Sequence, residues 1–167
     1  IREAYKKFIV RMFTICGYGK TADQAMTDIM KVETALAQAS KSRTELRDVE
    51  ANYNKMTMDL FEKKYPHLGV KQLMLAEGVK ADRLSELVVA QPGFMAEADK
   101  LFAGLSPKEL RHYMHWDVML SASGYLSDAI AEANFDFFGR TMRGRQEDYP
   151  RWKRATSQVE SQMGEAL

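Results

Sequence analysis

Start signals for helices recur along this chain and constrain its fold more than any other feature. The clearest one is residues 106–109, Ser-Pro-Lys-Glu, which supply a serine cap, a proline at the first helical position and a glutamate at the third. Leu110, Met114 and Val118 then recur every four residues, the spacing of one side of a helix. Residues 87–89, Leu-Val-Val, suggest extended backbone, but this run is too short to assign by periodicity. The sequence therefore predicts a predominantly all-α fold with at most one or two very short strands.

Similar signals divide the rest of the chain into segments. A first amphipathic helix reaches Cys16 and ends at Gly17, because glycine tolerates the backbone that closes a helix. Thr21 is predicted to cap the second helix, and Thr57 to cap a short helix that stops before Pro66. The remaining predicted helices cover residues 70–77, 94–102, 106–124 and 125–137, with a last one from Pro150 onward.

Length and charge limit the class of protein. A chain of 167 residues suits one domain, so we expect a single helical domain over residues 1–167. The 24 basic and 23 acidic residues leave a net charge of +1, which argues against a nucleic-acid partner. No apolar run approaches the roughly eighteen residues of a membrane span. Because the chain begins with Ile1 and shows no signal stretch, we expect a fragment of a longer protein.

Candidate nucleotide and metal motifs are weak. Residues 19–21, Gly-Lys-Thr, resemble the tail of a phosphate-binding loop, but position 14 is threonine where that loop needs glycine. His112 and His115 are three residues apart and share one side of a helix, yet a zinc site needs a third ligand. His67 lies in a distant segment, and neither it nor His112 begins a His-Glu-x-x-His motif. We therefore interpret the histidines as surface or core residues of packed helices.

Other reactive side chains have equally ordinary interpretations. Cys16 lies on the apolar side of the first helix, where a buried and inert thiol is the usual outcome. The carboxylate pairs Glu97 with Asp99 and Glu147 with Asp148 occur in solvated contexts. Residues 140–154 combine basic side chains with a tryptophan, which can bind single-stranded nucleic acid, but acidic residues interrupt the run. The sequence thus predicts no catalytic, cofactor-binding or metal-binding residue in this chain.

Five segments carry, in order, the patterns of a known family. Residues 33–37 read Glu-Thr-Ala-Leu-Ala, residues 47–57 contain Arg-Asp and Tyr-Asn-Lys-Met-Thr, and residues 91–94 read Gln-Pro-Gly-Phe. Residues 134–154 contain Asn-Phe-Asp-Phe-Phe-Gly and Pro-Arg-Trp-Lys-Arg, and residues 163–167 read Met-Gly-Glu-Ala-Leu. Together they resemble the N-terminal portion of the neprilysin and endothelin-converting-enzyme family of zinc metalloendopeptidases, most closely a bacterial oligopeptidase O-type member. One departure is residues 68–70, Leu-Gly-Val, where the family usually has a tryptophan-containing segment.

The resemblance implies a function that the isolated residues do not. In that family a zinc-binding catalytic domain and a smaller helical domain enclose a water-filled cavity. The zinc helix, His-Glu-x-x-His, and a later glutamate ligand follow the stretch matched here. The resemblance therefore implies that this chain is the lid-like helical domain of a zinc metalloendopeptidase. Its partners would be the C-terminal catalytic domain and, in the full-length protein, peptide substrates, with zinc held outside this chain.

The remaining expectations concern the cellular location of the protein and the local structure of two segments. The family is extracytoplasmic, and the lone Cys16 favours a bacterial member over the disulfide-rich animal enzymes. We expect a partly buried Arg47–Asp48 pair and Tyr53-Asn54 to order the loop after the second helix, and Trp152 to anchor the last helix by burying its ring. Two alternatives stay open: a stand-alone helical interaction or scaffold domain without enzymatic activity, and a family member that has lost its zinc ligands and acts as a binding protein.

Overall fold

The structure, a computed structural model, describes residues 1–164 and is predominantly helical, as the sequence predicts. The last three residues of the family-like segment 163–167 lie outside the described residues. In the described part, the α-helices are α1 (Arg2–Ile15), α2 (Ala22–Ala39), α3 (Met58–Lys64), α4 (Val70–Ala76), α5 (Pro92–Gly104), α6 (Pro107–Ser121), α7 (Asp128–Asn134) and α8 (Arg151–Met163). The strands are β1 (Asn54–Thr57) and β2 (Glu86–Val89), and a π-helical segment, Phe135–Thr141, continues α7.

The backbone forms two compact units. The first unit comprises residues 1–26 and the described residues from Trp116 onward, and the second comprises Thr27–His115. The unit boundaries fall within α2 and α6. The expectation of one domain over residues 1–167 stays a prediction.

An aromatic cluster forms much of the core of the first unit. Phe8 of α1 stacks on Phe137 with ring centroids 5.1 Å apart, and Trp116 meets Phe8 edge-on at 5.3 Å. The indole of Trp116 donates a 3.1 Å hydrogen bond to the Tyr5 hydroxyl, so its polar edge is satisfied although the ring is buried. Burying each such ring contributes about 1.5–3 kcal/mol, which makes this cluster a principal source of stability.

A small sheet and two helices form a separate core in the second unit. β1 and β2 pair antiparallel, with Asn54 opposite Val89 and Thr57 opposite Glu86. The buried side chains that pack beside them are Met58, Phe61, Tyr65, Leu84 and Val89. The suggestion of extended backbone near residue 88 is confirmed by β2, whereas β1 is a strand that the sequence pattern did not indicate.

Most of the predicted helix starts are confirmed. The Thr57 side chain accepts a 3.2 Å hydrogen bond from the amide of Leu60 at the start of α3. Ser106 and Glu109 form a capping box: the Glu109 amide donates to Ser106 Oγ at 3.3 Å, and the Ser106 amide donates to Glu109 Oε2 at 2.8 Å. α2 begins at Ala22, directly after Thr21, as predicted, and in the 3₁₀ turn before it the Thr21 hydroxyl donates to the Tyr18 carbonyl.

Three local expectations were wrong. Trp152 does not bury its ring, because 69% of the residue is exposed on α8. Arg47 and Asp48 are both exposed and form no ion pair within residues 1–164; the Asp48 carboxylate accepts instead from the amide of Ala51. Tyr53 is likewise 61% exposed, so its ring does not pack the loop after α2. The Asn54 part of that expectation is confirmed, because its side-chain amide donates a 3.1 Å hydrogen bond to the Ala51 carbonyl.

Helix α6 buries the side opposite to the one predicted from the four-residue spacing of Leu110, Met114 and Val118. Met114 and Val118 are exposed, whereas His112, Trp116 and Met119 are buried.

None of the described helices combines the length and the apolarity that crossing a membrane would require.

Candidate functional site

A cleft of about 450 Å³ opens in the first unit and is the strongest candidate site there. Its walls come from the end of α6 and the residues after it, from α7 and its π-helical continuation, from the loop before α8, and from α8 itself. The polar and aromatic lining side chains on which the description depends are Tyr125, Arg143, Arg145, Asp148, Tyr149, Arg154 and Gln158.

The π-helical segment shapes one wall of the cleft. Its backbone is wound as a π-helix over Phe135–Thr141, and at its end the Thr141 hydroxyl donates to the Asp136 carbonyl. Gly139 lies directly against the ring of Phe135: a Cβ atom at this position would be 2.2 Å from two ring carbons. A π-helical turn inside a helix is frequently found at a functional site, and here it turns Phe135 and Phe138 toward the cleft.

An ion pair with Arg11 of α1 anchors the π-helical segment outside the cleft. Asp136 accepts from the guanidinium groups of both Arg11 and Arg140. The hydrogen bond from Arg11 is the main cause of a lowered pKa at Asp136; burial opposes it as the second-largest effect, and the hydrogen bond from Arg140 lowers the pKa further. The carboxylate therefore stays ionised and holds α1 to the segment at neutral pH.

Basic residues dominate the charge of the cleft. The Asp148 carboxylate lies 2.6 Å from Arg154 and 3.9 Å from Arg145, and the Arg145 guanidinium also lies 4.2 Å from the centre of the Tyr149 ring. Asp148 is the one acidic residue among the described lining, against the three arginines Arg143, Arg145 and Arg154. The cleft thus carries a surplus of positive charge suited to a carboxylate.

Helix α8 meets the cleft through its polar face. The Tyr125 hydroxyl donates a 2.6 Å hydrogen bond to Gln158 Oε1 and accepts one of 3.2 Å from Gln162 Nε2. Arg154, on the same side of the helix, binds Asp148. Part of the basic run over residues 140–154 therefore builds a wall of the cleft, through Arg143, Arg145 and Arg154, and is more than solvated packing.

Two histidines of the second unit, His67 and His112, are paired with carboxylates. Buried His112 places Nδ1 2.7 Å from Oδ2 of buried Asp28. The backbone amide of His67 donates to Asp99 Oδ1 at 2.7 Å, and its ring Nδ1 lies 3.0 Å from Asp99 Oδ2. Across the described residues, no three His, Cys, Asp or Glu side chains lie together as a metal site would require. His112 is thus a core histidine of a packed helix.

The carboxylates singled out from the sequence serve as ion-pair and hydrogen-bond acceptors. Glu97 pairs with Lys100 at 2.7 Å. Burial raises the pKa of Asp99, but the hydrogen bonds from His67 outweigh that effect and leave it lowered. The hydrogen bond from Lys31, together with those from Ser106, lowers the pKa of Glu109 to about 2. With their pKa values lowered, Asp99 and Glu109 are ionised at neutral pH, so they accept hydrogen bonds and cannot donate a proton.

Cys16 is only half-buried, although the sequence suggested full burial. Even so, burial raises the pKa of its thiol. Because the thiolate is the reactive form, this shift makes the side chain a poor nucleophile at neutral pH. The prediction that the chain holds no catalytic residue stays a prediction.

Sequence reasoning missed the pairs that are distant in the chain. Asp28 and His112 are separated by 84 residues, and Tyr125 and Gln158 by 33. Local spacing holds no signal for such contacts, because they are set by how helices pack.

The chemistry that the cleft can support is binding. It offers hydroxyl, amide and guanidinium groups along a partly aromatic wall, which suits a polar chain bearing a carboxylate.

Comparison with known proteins agrees with this architecture. Zinc metalloprotease 1 of Mycobacterium tuberculosis in its open state superposes with a TM-score of 0.92 at 30% identity, over 98% of this chain and 26% of that one. A partly open state of the same protein gives 0.81 at 31% identity over 98% of this chain and 25% of that one.

Curated relatives show the same partial coverage. Neprilysin-2 of Drosophila melanogaster is 26% identical over 97% of this chain and 21% of its own length. Human endothelin-converting enzyme-like 1 is 29% identical over 80% of this chain and 17% of its own. The chain thus spans about a fifth of the length of the curated relatives that it matches. The family model of Peptidase family M13, in its N-terminal part, matches all of residues 1–167, and the chain belongs to that family.

Proposed function

We propose that this chain is the N-terminal helical part of a zinc metalloendopeptidase and acts as a lid that limits which peptides reach the active site. The observation that carries the proposal is the match of the whole chain to the family model, supported by the TM-score of 0.92 to a zinc metalloprotease. Peptide hydrolysis is the activity of the parent protein, and the fragment alone is inactive in this proposal.

Zinc does not fit the residues described here. The sequence contains no His-Glu-x-x-His motif, and residues 1–164 bring no three candidate ligands together. Under the proposal, the zinc ligands and the general base belong to the C-terminal catalytic part of the parent, and this chain contributes shape and charge.

A lid requires stiffness, and the helices of both units supply it. Packed aromatic rings hold α1 and the π-helical segment together, and the capping box of α6 fixes where that helix begins. The cleft in the first unit gives such a lid a surface that can hold part of a polar chain.

We also propose that the parent protein acts outside the cytoplasm, because its relatives include proteins such as mouse membrane metallo-endopeptidase-like 1.

The test compares substrates that differ only in size. One cleavable sequence is offered to the full-length protein as a short peptide, within a chain of several dozen residues, and within a loop of a folded protein. The account predicts zinc-dependent cleavage whose kcat/KM falls at least 100-fold between the short peptide and the folded protein. An unrelated metallopeptidase with an open active site, which cleaves all three substrates, serves as the control.

Two results would overturn the proposal in different ways. Equal cleavage of all three substrates would remove the lid function and leave the peptidase. No zinc-dependent hydrolysis in the full-length protein would favour an interaction or scaffold domain, or a binding protein without zinc.

A further inference from the structure

Helix α8 packs against its own unit with its polar side and turns its apolar side outward. Arg154 and Gln158, both half-buried, bind Asp148 and Tyr125. Three large apolar side chains are exposed on the other side: Trp152 at 69%, Val159 at 45% and Met163 at 52%. An ordinary surface helix of a globular protein has the reverse arrangement.

These three residues form one continuous stripe, here named the α8 stripe. Their separations of seven and four residues place Trp152, Val159 and Met163 within a narrow sector of the helix. No residue of α8 is fully buried in the described structure. A helix of this length is only marginally stable unless an apolar face is packed, so we expect another surface to cover this one.

We propose that the α8 stripe docks on the C-terminal catalytic part of the same polypeptide. This inference rests on the proposed function, because it takes the covering surface from the parent chain. The matched relatives are about five times as long as this chain, so most of a parent of that kind lies outside the described residues. The cover would be an apolar surface with a polar rim, since the exposed side chains of Lys153 and Glu160 lie along one edge of the stripe.

The size of the stripe favours a cover from the same chain over a second copy. Three side chains fall well short of the roughly 800 Å² that each partner buries in a stable dimer. A contact within one polypeptide does not carry the full cost of association, because its effective concentration is set by the chain itself. A small apolar stripe can therefore remain covered within one polypeptide.

Thiol labelling in the full-length protein tests the docking. In a Cys16→Ser background, Val159→Cys and Met163→Cys place thiols on the stripe. Ser161→Cys is the matched control, an exposed position of the same helix on the other side. The rates of reaction with a small maleimide are read by peptide mass mapping. We expect both stripe positions to react at least ten-fold more slowly than the control, and all three at equal rates after denaturation.

Equal rates at the three positions in the native protein would overturn the inference. Protection that appears only at high protein concentration would assign the stripe to a second copy, and protection that appears only with anionic lipid vesicles would assign it to a membrane; either result contradicts docking within the chain. If the same preparation still cleaves peptides with zinc, the docking fails while the proposed function stands.

Discussion

The hydroxyl of Tyr125 donates a 2.6 Å hydrogen bond to Oε1 of Gln158 and thereby ties the segment after α6 to the polar face of α8. Gln162 donates to the same hydroxyl at 3.2 Å, so one oxygen serves two positions of the helix. This attachment through polar groups leaves the apolar side of α8 facing outward.

Removing that hydroxyl should loosen α8 locally. Tyr125→Phe deletes a donor and an acceptor at an exposed site, where a net loss of about 0.5–1.5 kcal/mol is expected. The measurement is native-state hydrogen exchange of the α8 amides, which should become faster. Tyr149→Phe is the control, since within residues 1–164 its hydroxyl makes no hydrogen bond while its ring contacts Arg145 and Lys153. Similar exchange in both variants would contradict the prediction.

The buried pair of His112 and Asp28 should make a large contribution to the second unit. His112→Ala leaves the Asp28 carboxylate buried without the ring nitrogen that lies 2.7 Å away. Breaking a buried pair from one side costs about 2–4 kcal/mol, measured as the loss in free energy of unfolding by denaturant titration. The double variant with Asp28→Asn should lose less than the sum of the two single variants, and strict additivity would show that the pair is not coupled.

Glu109 should make stability depend on pH in the acid range. Its pKa is lowered from 4.5 to about 2, first by the hydrogen bond from Lys31 and then by those from Ser106. A lowered pKa in the folded state means that the stabilisation is fully present above the unfolded pKa, about 4.3, and is lost as the pH falls toward 2. The stability difference between the native protein and Glu109→Gln should therefore shrink between about pH 4.5 and pH 2.

The control for that prediction removes the partners of Glu109. In a Lys31→Met and Ser106→Ala background, the Glu109→Gln difference should lose most of its pH dependence in this range. Unfolding followed by circular dichroism at each pH gives the comparison. A difference that stays constant from pH 5 to pH 2 in the native background would refute the assignment.

Gly139 should not tolerate a side chain. A Cβ atom there would lie 2.2 Å from carbons of the buried Phe135 ring, so Gly139→Ala forces the ring or the π-helical turn to move. Overpacking of this kind costs about 1–3 kcal/mol in free energy of unfolding. Gly93→Ala is the matched control, because its Cβ meets no atom within 4 Å inside α5 and should stabilise by about 0.5–1 kcal/mol. Equal effects in thermal unfolding would contradict the close packing.

Local chemistry explains what the sequence predicted well. The caps at Thr57 and Ser106 depend on residues three positions apart, so their signals are complete within a short window. Strand β1 has four residues and depends on pairing with residues of β2 that lie 29 to 35 positions later, which no local pattern encodes. Trp152 is a second example. The size of its ring predicts burial, but burial depends on a surface to pack against, and within the described residues the ring stays 69% exposed.

The candidate site was predictable only in its parts. The basic run over residues 140–154 is visible in the sequence, whereas the cleft needs the π-helical turn and the approach of α8 to Tyr125. The wider winding of that turn has no sequence pattern that separates it from an ordinary helix. The resemblance of five short segments identified the family because their order along the chain is specific.

The zinc content and chain mass of the natural protein that carries this stretch test the central claim most directly. The protein is isolated from its source with an antibody to residues 1–167, and its metal is measured together with its mass. The account predicts a chain several times heavier than 19.1 kDa with about one zinc ion per chain, as catalytic zinc sites require. A natural chain near 19.1 kDa without zinc would contradict it.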